Sequence, residues 1–180
     1  MKKIIFINSR GQFFSPDLVI ALGVFIFALI VFFTASTSIF SQSALFDERK
    51  SVDETAHMVL NSLVLSTGSP SNWENLSISS ATSIGLVSSN NEIYLNKIVY
   101  LIQNLNDAAN YVIVKEKLGL GPYNLNLRLI DSSGNVISKN GVALDGGVRT
   151  LDPKLSYKFT RFVVFEGSAA VIEAIFSIEK

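Results

Sequence analysis

Arg10-Gly11-Gln12 is the one place in this 180-residue chain whose residue types and order suggest a covalent event, hydrolysis of a peptide bond. Residues 1–11 hold three cations (Lys2, Lys3, Arg10) and no acid, and the small Gly11 closes this basic stretch directly before Gln12. Beyond it, Asp17 is the sole charge until Asp47, and Leu18 to Phe33 is almost purely apolar. A basic leader, a cleavage point, a membrane helix and a polar domain therefore follow one another along the chain.

Other chemistry is sparsely represented. His57 is the single histidine and there are no cysteines, so a transition-metal site is not expected and thiol chemistry is excluded. No glycine-rich phosphate loop follows a strand pattern; Gly119-Leu120-Gly121-Pro122 reads as a helix stop and turn. The acids are scattered without the spacing of a carboxylate pair. The expectation is a protein that is not an enzyme and takes no cofactor. Asn75-Leu76-Ser77 is a sequon, so Asn75 is a candidate for N-glycosylation in an outward-facing loop. No basic run lies beyond the leader, which leaves nucleic acid without an electrostatic footprint. Loss of residues 1–11 would leave 12 basic against 15 acidic residues, a net charge of −3.

The greasy segment reads as a membrane span. A bilayer core about 30 Å thick needs roughly 20 helical residues. Leu18–Phe33 alone is short, but the uncharged 34–40 extends it, with Ser and Thr hydroxyls able to return to the helix backbone. The cations precede the span, so residues 1–11 are expected inside and Asp47–Lys180 outside. A cleaved secretory signal, with Thr34-Ala35-Ser36 as a loose cleavage site, is the other reading. Phe13, Phe14, Pro16 and Asp17 between the basic and apolar regions count against it.

Ser15-Pro16-Asp17 predicts the helix start: a cap, a residue without a donor at the first position, and an acid at the positive end of the macrodipole. Past the span, Leu45, Val52, Ala56, Val59, Leu60 and Leu63 recur at helical spacing, with charges on the other faces. Thr67-Gly68-Ser69-Pro70 should end the helix near Ser66. Its first half is apolar all round and its second half carries one apolar stripe. Ala21, Gly23 and Ala28 are small enough to permit close helix approach.

The segment 66–89 reads as loop, with Trp73, the only tryptophan, plugging it onto the domain. Leu95–Asn104 and Asp107–Leu118 read as two short helices, the second capped by Asp107 and stopped at Gly119. From Tyr123 the period becomes two: Leu125, Leu127 and Leu129 alternate with Asn124, Asn126 and Arg128, a strand with one wet face. Val136–Lys139 can return antiparallel after the turn 131–135, and Gly146-Gly147 falls in a loop. Tyr157–Phe165 and Ala169–Glu179 form a hairpin about Glu166-Gly167-Ser168, with Ala170, Ile172, Ala174, Phe176 and Ile178 on one face. The expected fold is α+β: a long N-terminal helix packed by its second half on a small C-terminal antiparallel sheet. The expected division is 1–11 leader, 12–45 apolar helix, 46–66 amphipathic helix, 67–122 loop and short helices, and 123–180 β domain.

Together these features resemble the type IV pilin-like family, and Arg10-Gly11-Gln12 resembles the class III signal peptides of its archaeal members. Ser66-Thr67-Gly68-Ser69-Pro70-Ser71-Asn72-Trp73 is similar to archaeal pilin-like proteins, as is Leu118-Gly119-Leu120 running into the strand Tyr123–Ile130. The specific motif is confined to residues 10–33. The resemblance implies a pilin-like fold, removal of the leader by a membrane aspartic prepilin peptidase, and self-assembly through the apolar half-helix into a filament with the pilus assembly machinery. Family members commonly carry Glu at the fifth mature position, thought to pair with a neighbour's new amino terminus. Cleavage after Gly11 places Pro16 there and Asp17 sixth, so Asp17 could serve that purpose one residue late, or simply complement the helix dipole. Three functions stay open: bulk subunit of an adhesive surface filament, minor or initiating subunit, and a single-span anchored protein whose outer domain binds a partner.

Overall fold

The computed structural model describes residues 16–88 and 92–179, and the side chains of all of these except 16 and 38–45. The architecture is α+β, and the chain divides into two compact units, Met1–Asp47 and Glu48–Lys180. Helix α1 runs Pro16–Leu65, with Asp17 in its first turn. Pro16 suits that first position because a helix leaves its opening N–H groups unpaired anyway. The expected cap Ser15 lies outside the described residues.

In the first unit the helix is apolar on every side. All thirteen large apolar side chains from Leu18 to Phe33 are exposed, from 38% at Leu29 to 68% at Phe27. Past them, Thr34 Oγ1 donates to the carbonyls of Ile30 and Val31, both at 2.9 Å, and Thr37 Oγ1 to that of Thr34 at 2.9 Å. The hydroxyls are thereby spent on the helix itself, which keeps this stretch compatible with an apolar surround.

In the second unit the helix has one buried stripe. Val52, Ala56, Val59, Leu60 and Leu63 are all at most 1% exposed, while Asp53, Glu54 and Met58 between them face solvent. Leu45, expected to begin the stripe, falls among the side chains outside the description. Helices α2 (Leu95–Asn106) and α3 (Ala108–Lys117) follow. Asp107 caps α3 by accepting from the N–H groups of Ala109 and Asn110, both at 2.9 Å.

Six strands follow among the described residues: β1 Asn124–Ile130, β2 Ser138–Lys139, β3 Val142–Ala143, β4 Asp145–Gly147, β5 Leu155–Phe165 and β6 Ser168–Ile178. Four form an antiparallel sheet in the order β4-β1-β6-β5, and β2 pairs with β3 in a separate ribbon. The inner face, made by Leu125, Leu127 and Leu129 of β1 with Ile172, Ala174 and Phe176 of β6, belongs to one apolar core with the α1 stripe, α2 and Trp73. The hairpin β5–β6 closes on a two-residue turn, with Glu166 at φ 49° and Gly167 at φ 73°. Both central residues in the left-handed region define the turn that matches the twist of paired strands.

Three expectations need correction. Val136 bridges Ile130 and Ile137 donates to the Leu129 carbonyl, but Ser138–Lys139 then leaves β1 to pair with β3. Asp145–Gly147, expected as loop, is the edge strand β4 paired to β1. Glycine is disfavoured in strands, which hid it. Here it is required, because a Cβ on Gly146 would lie 2.9 Å from the Ile102 carbonyl of α2. Finally, the second face of β1 is wet only in part: Asn124 and Arg128 are half-buried, and Asn126 between them is 2% exposed.

Candidate membrane segment and the polar clusters of the folded domain

Asp17–Thr37, 21 residues with none of them buried, is a helix long and apolar enough to cross a membrane. At about 1.5 Å per residue it spans roughly 30 Å, the thickness of a hydrocarbon core. Ala21, Gly23 and Ala28 are exposed along it, and a Cβ placed on Gly23 would meet nothing within 4 Å. Asp17 stands at its N-terminal end, in the first turn of α1. Arg10, Gly11 and Gln12 lie outside the described residues.

Asn75 sits in a short 3-10 turn, Trp73–Asn75, and is exposed. Trp73 beside it is fully buried, and its Nε1–H donates to the Gly85 carbonyl at 2.9 Å. The loop after α1 is therefore ordered around this ring. Gly68, at φ 78°, passes so close that a Cβ there would come 2.5 Å from Trp73 Cδ1, and one on Gly85 would come 2.3 Å from the Ser66 carbonyl. Glycine at both positions is a packing requirement, and the phrase 66–73 is a physical clasp on the end of α1.

Lys97, unremarked in the sequence, completes the clasp. It is 4% exposed, and its Nζ donates to the carbonyls of Thr67 at 2.7 Å and Val87 at 3.3 Å. Burial pushes the ammonium below its ordinary range, and the charge of Glu74 opposes that shift. The signal lay in its helical position, one turn before Leu101 on the buried face of α2.

The outer face of the sheet carries a ladder of alternating charge. Lys158 Nζ lies 3.1 Å from Glu173 Oε2, Arg128 Nη1 lies 3.4 Å from Glu173 Oε1, and Arg128 Nε lies 3.8 Å from Asp145 Oδ1. Arg149 closes the ladder on the other oxygen of Asp145. Asn126 lies beneath the arginines. Its Oδ1 accepts from Arg128 Nε at 3.3 Å and Arg149 Nε at 3.4 Å, and its Nδ2 donates to Asp145 Oδ1 and the Gly146 carbonyl, both at 3.1 Å. These groups satisfy one another, as buried polar groups must. They tie β4, β1, β6 and β5 together.

His57 is about half exposed, with Nε2 3.5 Å from Asp53 Oδ1 and Nδ1 accepting from Arg161 Nη2 at 2.6 Å. An arginine donor on Nδ1 takes that lone pair and leaves the ring proton on Nε2, towards Asp53. Its ring also meets the Phe159 ring edge-on, with centroids 6.2 Å apart. Among the described residues, no group of three His, Cys, Asp or Glu side chains could hold a metal ion. Asp131 accepts from the N–H groups of Ser133 and Asn135, at 2.8 and 2.9 Å. Those bonds and the Gly134 N–H hold its carboxyl below the usual range, and they close a turn.

No family model, curated protein or solved structure matches this chain.

Proposed function

We propose that this chain is a structural subunit, bulk or minor, of an archaeal type IV pilus-like surface filament serving attachment. One observation carries the reading: a single helix whose first part exposes apolar side chains on every face and whose last part supplies the core stripe of a folded domain. An all-round apolar helix needs lipid or other helices about it. Lipid serves before assembly, and the same surface packs among copies afterwards, with small residues allowing close approach. The leader Lys2, Lys3, Arg10 and Gly11 supplies the switch, because its removal by a prepilin peptidase frees Gln12 and releases the helix from its cytoplasmic anchor. In this reading the outer domain acts by its surface, with Asn75 available for glycosylation.

Gly11→Leu tests the switch. A peptidase that seats a small residue before the scissile bond should reject leucine, so the variant is expected to accumulate in membranes as uncleaved precursor with no surface fibre. Immunoblots of membrane and sheared fractions read the outcome. Wild-type processing and normal surface behaviour would favour a permanently anchored binding protein instead.

A further inference from the structure

Strand β5 is an outer strand of the sheet, paired to β6 along its whole length of 11 residues. The closing pair of the two-residue hairpin, Phe165 and Ser168, exchanges hydrogen bonds, and alternate residues back to Leu155 repeat this. The intervening residues turn their N–H and C=O groups away from β6. Val164 shows it, because its carbonyl accepts from the Ile93 N–H at 2.9 Å. Ser156, Lys158, Thr160 and Phe162 present the same groups, and among the described residues no strand receives them.

Long edges are ordinarily guarded by free charges, proline or a bulge. β5 holds no proline or glycine, and its register with β6 runs from Leu155 to Phe165 without a bulge. Its two cations are turned back on their own molecule, Lys158 onto Glu173 at 3.1 Å and Arg161 onto His57 at 2.6 Å. Phe162, on the outer face, is 88% exposed.

We propose that this edge pairs with the same edge of a second copy, antiparallel about a twofold axis through Phe159, making one sheet of two joined halves. The register follows from the open stretch. Ser156 to Phe162 is centred on Phe159, so only pairing centred there joins all four outward residues of both copies. A shift by one residue would set Ser156 against Val164, whose carbonyl is already taken by Ile93. In this register Lys158 faces the second copy's Thr160, Ser156 faces its Phe162 and Tyr157 faces its Arg161. No like charges oppose each other, and guanidinium meets an aromatic ring. Leu155 of the second copy arrives opposite Val163. That residue lines an open apolar groove of about 410 Å³ with Val64, Leu65, Ile93, Phe162 and Val164. The proposal uses only the outer domain and stands apart from the filament reading. If both hold, a twofold contact joins subunits of separate filaments, because contacts along one helical filament are head-to-tail.

The absence of cysteine makes the register directly readable. Full-length Lys158→Cys and Thr160→Cys chains, mixed in mild detergent and treated with a short bis-maleimide, which adds one cysteine thiol across each of its two double bonds, should give the mixed covalent dimer several-fold over either like pair. Thr160→Pro removes an outward N–H and leaves the β5–β6 ladder intact. That chain should keep its far-UV circular dichroism and sediment as a monomer where the parent sediments as a dimer. A statistical spread of the three cross-linked species, or identical sedimentation of parent and folded Thr160→Pro, overturns the proposal.

Discussion

If the chain assembles as proposed, Ile26→Asp is expected to leave it in the membrane and remove it from the surface fibre. Ile26 lies within the apolar part of α1, 47% exposed and flanked by side chains exposed on every face. A single carboxylate near the middle of a membrane helix costs only about 2.5–3.5 kcal/mol on insertion scales, because the chain can snorkel and the bilayer can thin. A helix that keeps the other twelve large apolar side chains between Leu18 and Phe33 retains ample drive to insert. A packed filament core has no such relief. Each copy would bury a charge among others of the same sign, and the penalty recurs at every subunit. The measurement is the ratio of membrane-fraction to sheared-fibre protein, in cells and by immunoblot. The expected result is near-normal membrane content with fibre lost by an order of magnitude or more. Parallel loss from both fractions would mean that the segment serves insertion alone.

Trp73→Ala should destabilise the folded domain more than any surface change. The indole is fully buried, stacks at a tilt with its centroid 5.8 Å from that of Tyr100, and satisfies the Gly85 carbonyl. Truncating a buried aromatic costs about 3–5 kcal/mol, against a total stability on the order of 5–15 kcal/mol. Gly68 and Gly85 hold their closely packed backbones against this ring and each other, so little can collapse into the space. Calorimetry of the full chain in detergent should show the domain transition lowered on the order of 15 °C. Val112→Ala, at a position 65% exposed on α3, should change it by no more than about 0.5 kcal/mol in free-energy terms. Similar shifts for the two variants would contradict the clasp described for residues 66–73.

What the sequence disclosed and what it hid divide by range. The α1 stripe was legible because five positions at helical spacing leave no other period that buries them together. The β5–β6 hairpin was legible because alternation on both sides of Glu166-Gly167 fixes the register. A helix long and apolar enough to cross a membrane was legible by length and charge alone. Strand order was not, since nothing local in β1 records that it lies between β4 and β6. Strand β4 was missed because Gly146 is chosen by a helix forty-odd residues earlier in the chain, an influence no window of local sequence contains. Asn126 looked wet because Asn is usually exposed. Its burial depends on Arg128, Asp145 and Arg149 closing over it from two strands and a loop. Of the candidate site, Asp17 and Asn75 were placed on the helix start and an exposed turn. Lys97 was passed over because one lysine on an amphipathic helix looks like any other until its carbonyl partners arrive from outside the helix.

Sequencing the amino terminus of the protein recovered from the cell surface probes most directly whether its apolar helix begins in lipid and ends among its own copies. Gln12 exposed at the terminus of material that pellets as polymer is the predicted result. Chains that still carry Met1 or Lys2, and that run singly in detergent, would contradict the account.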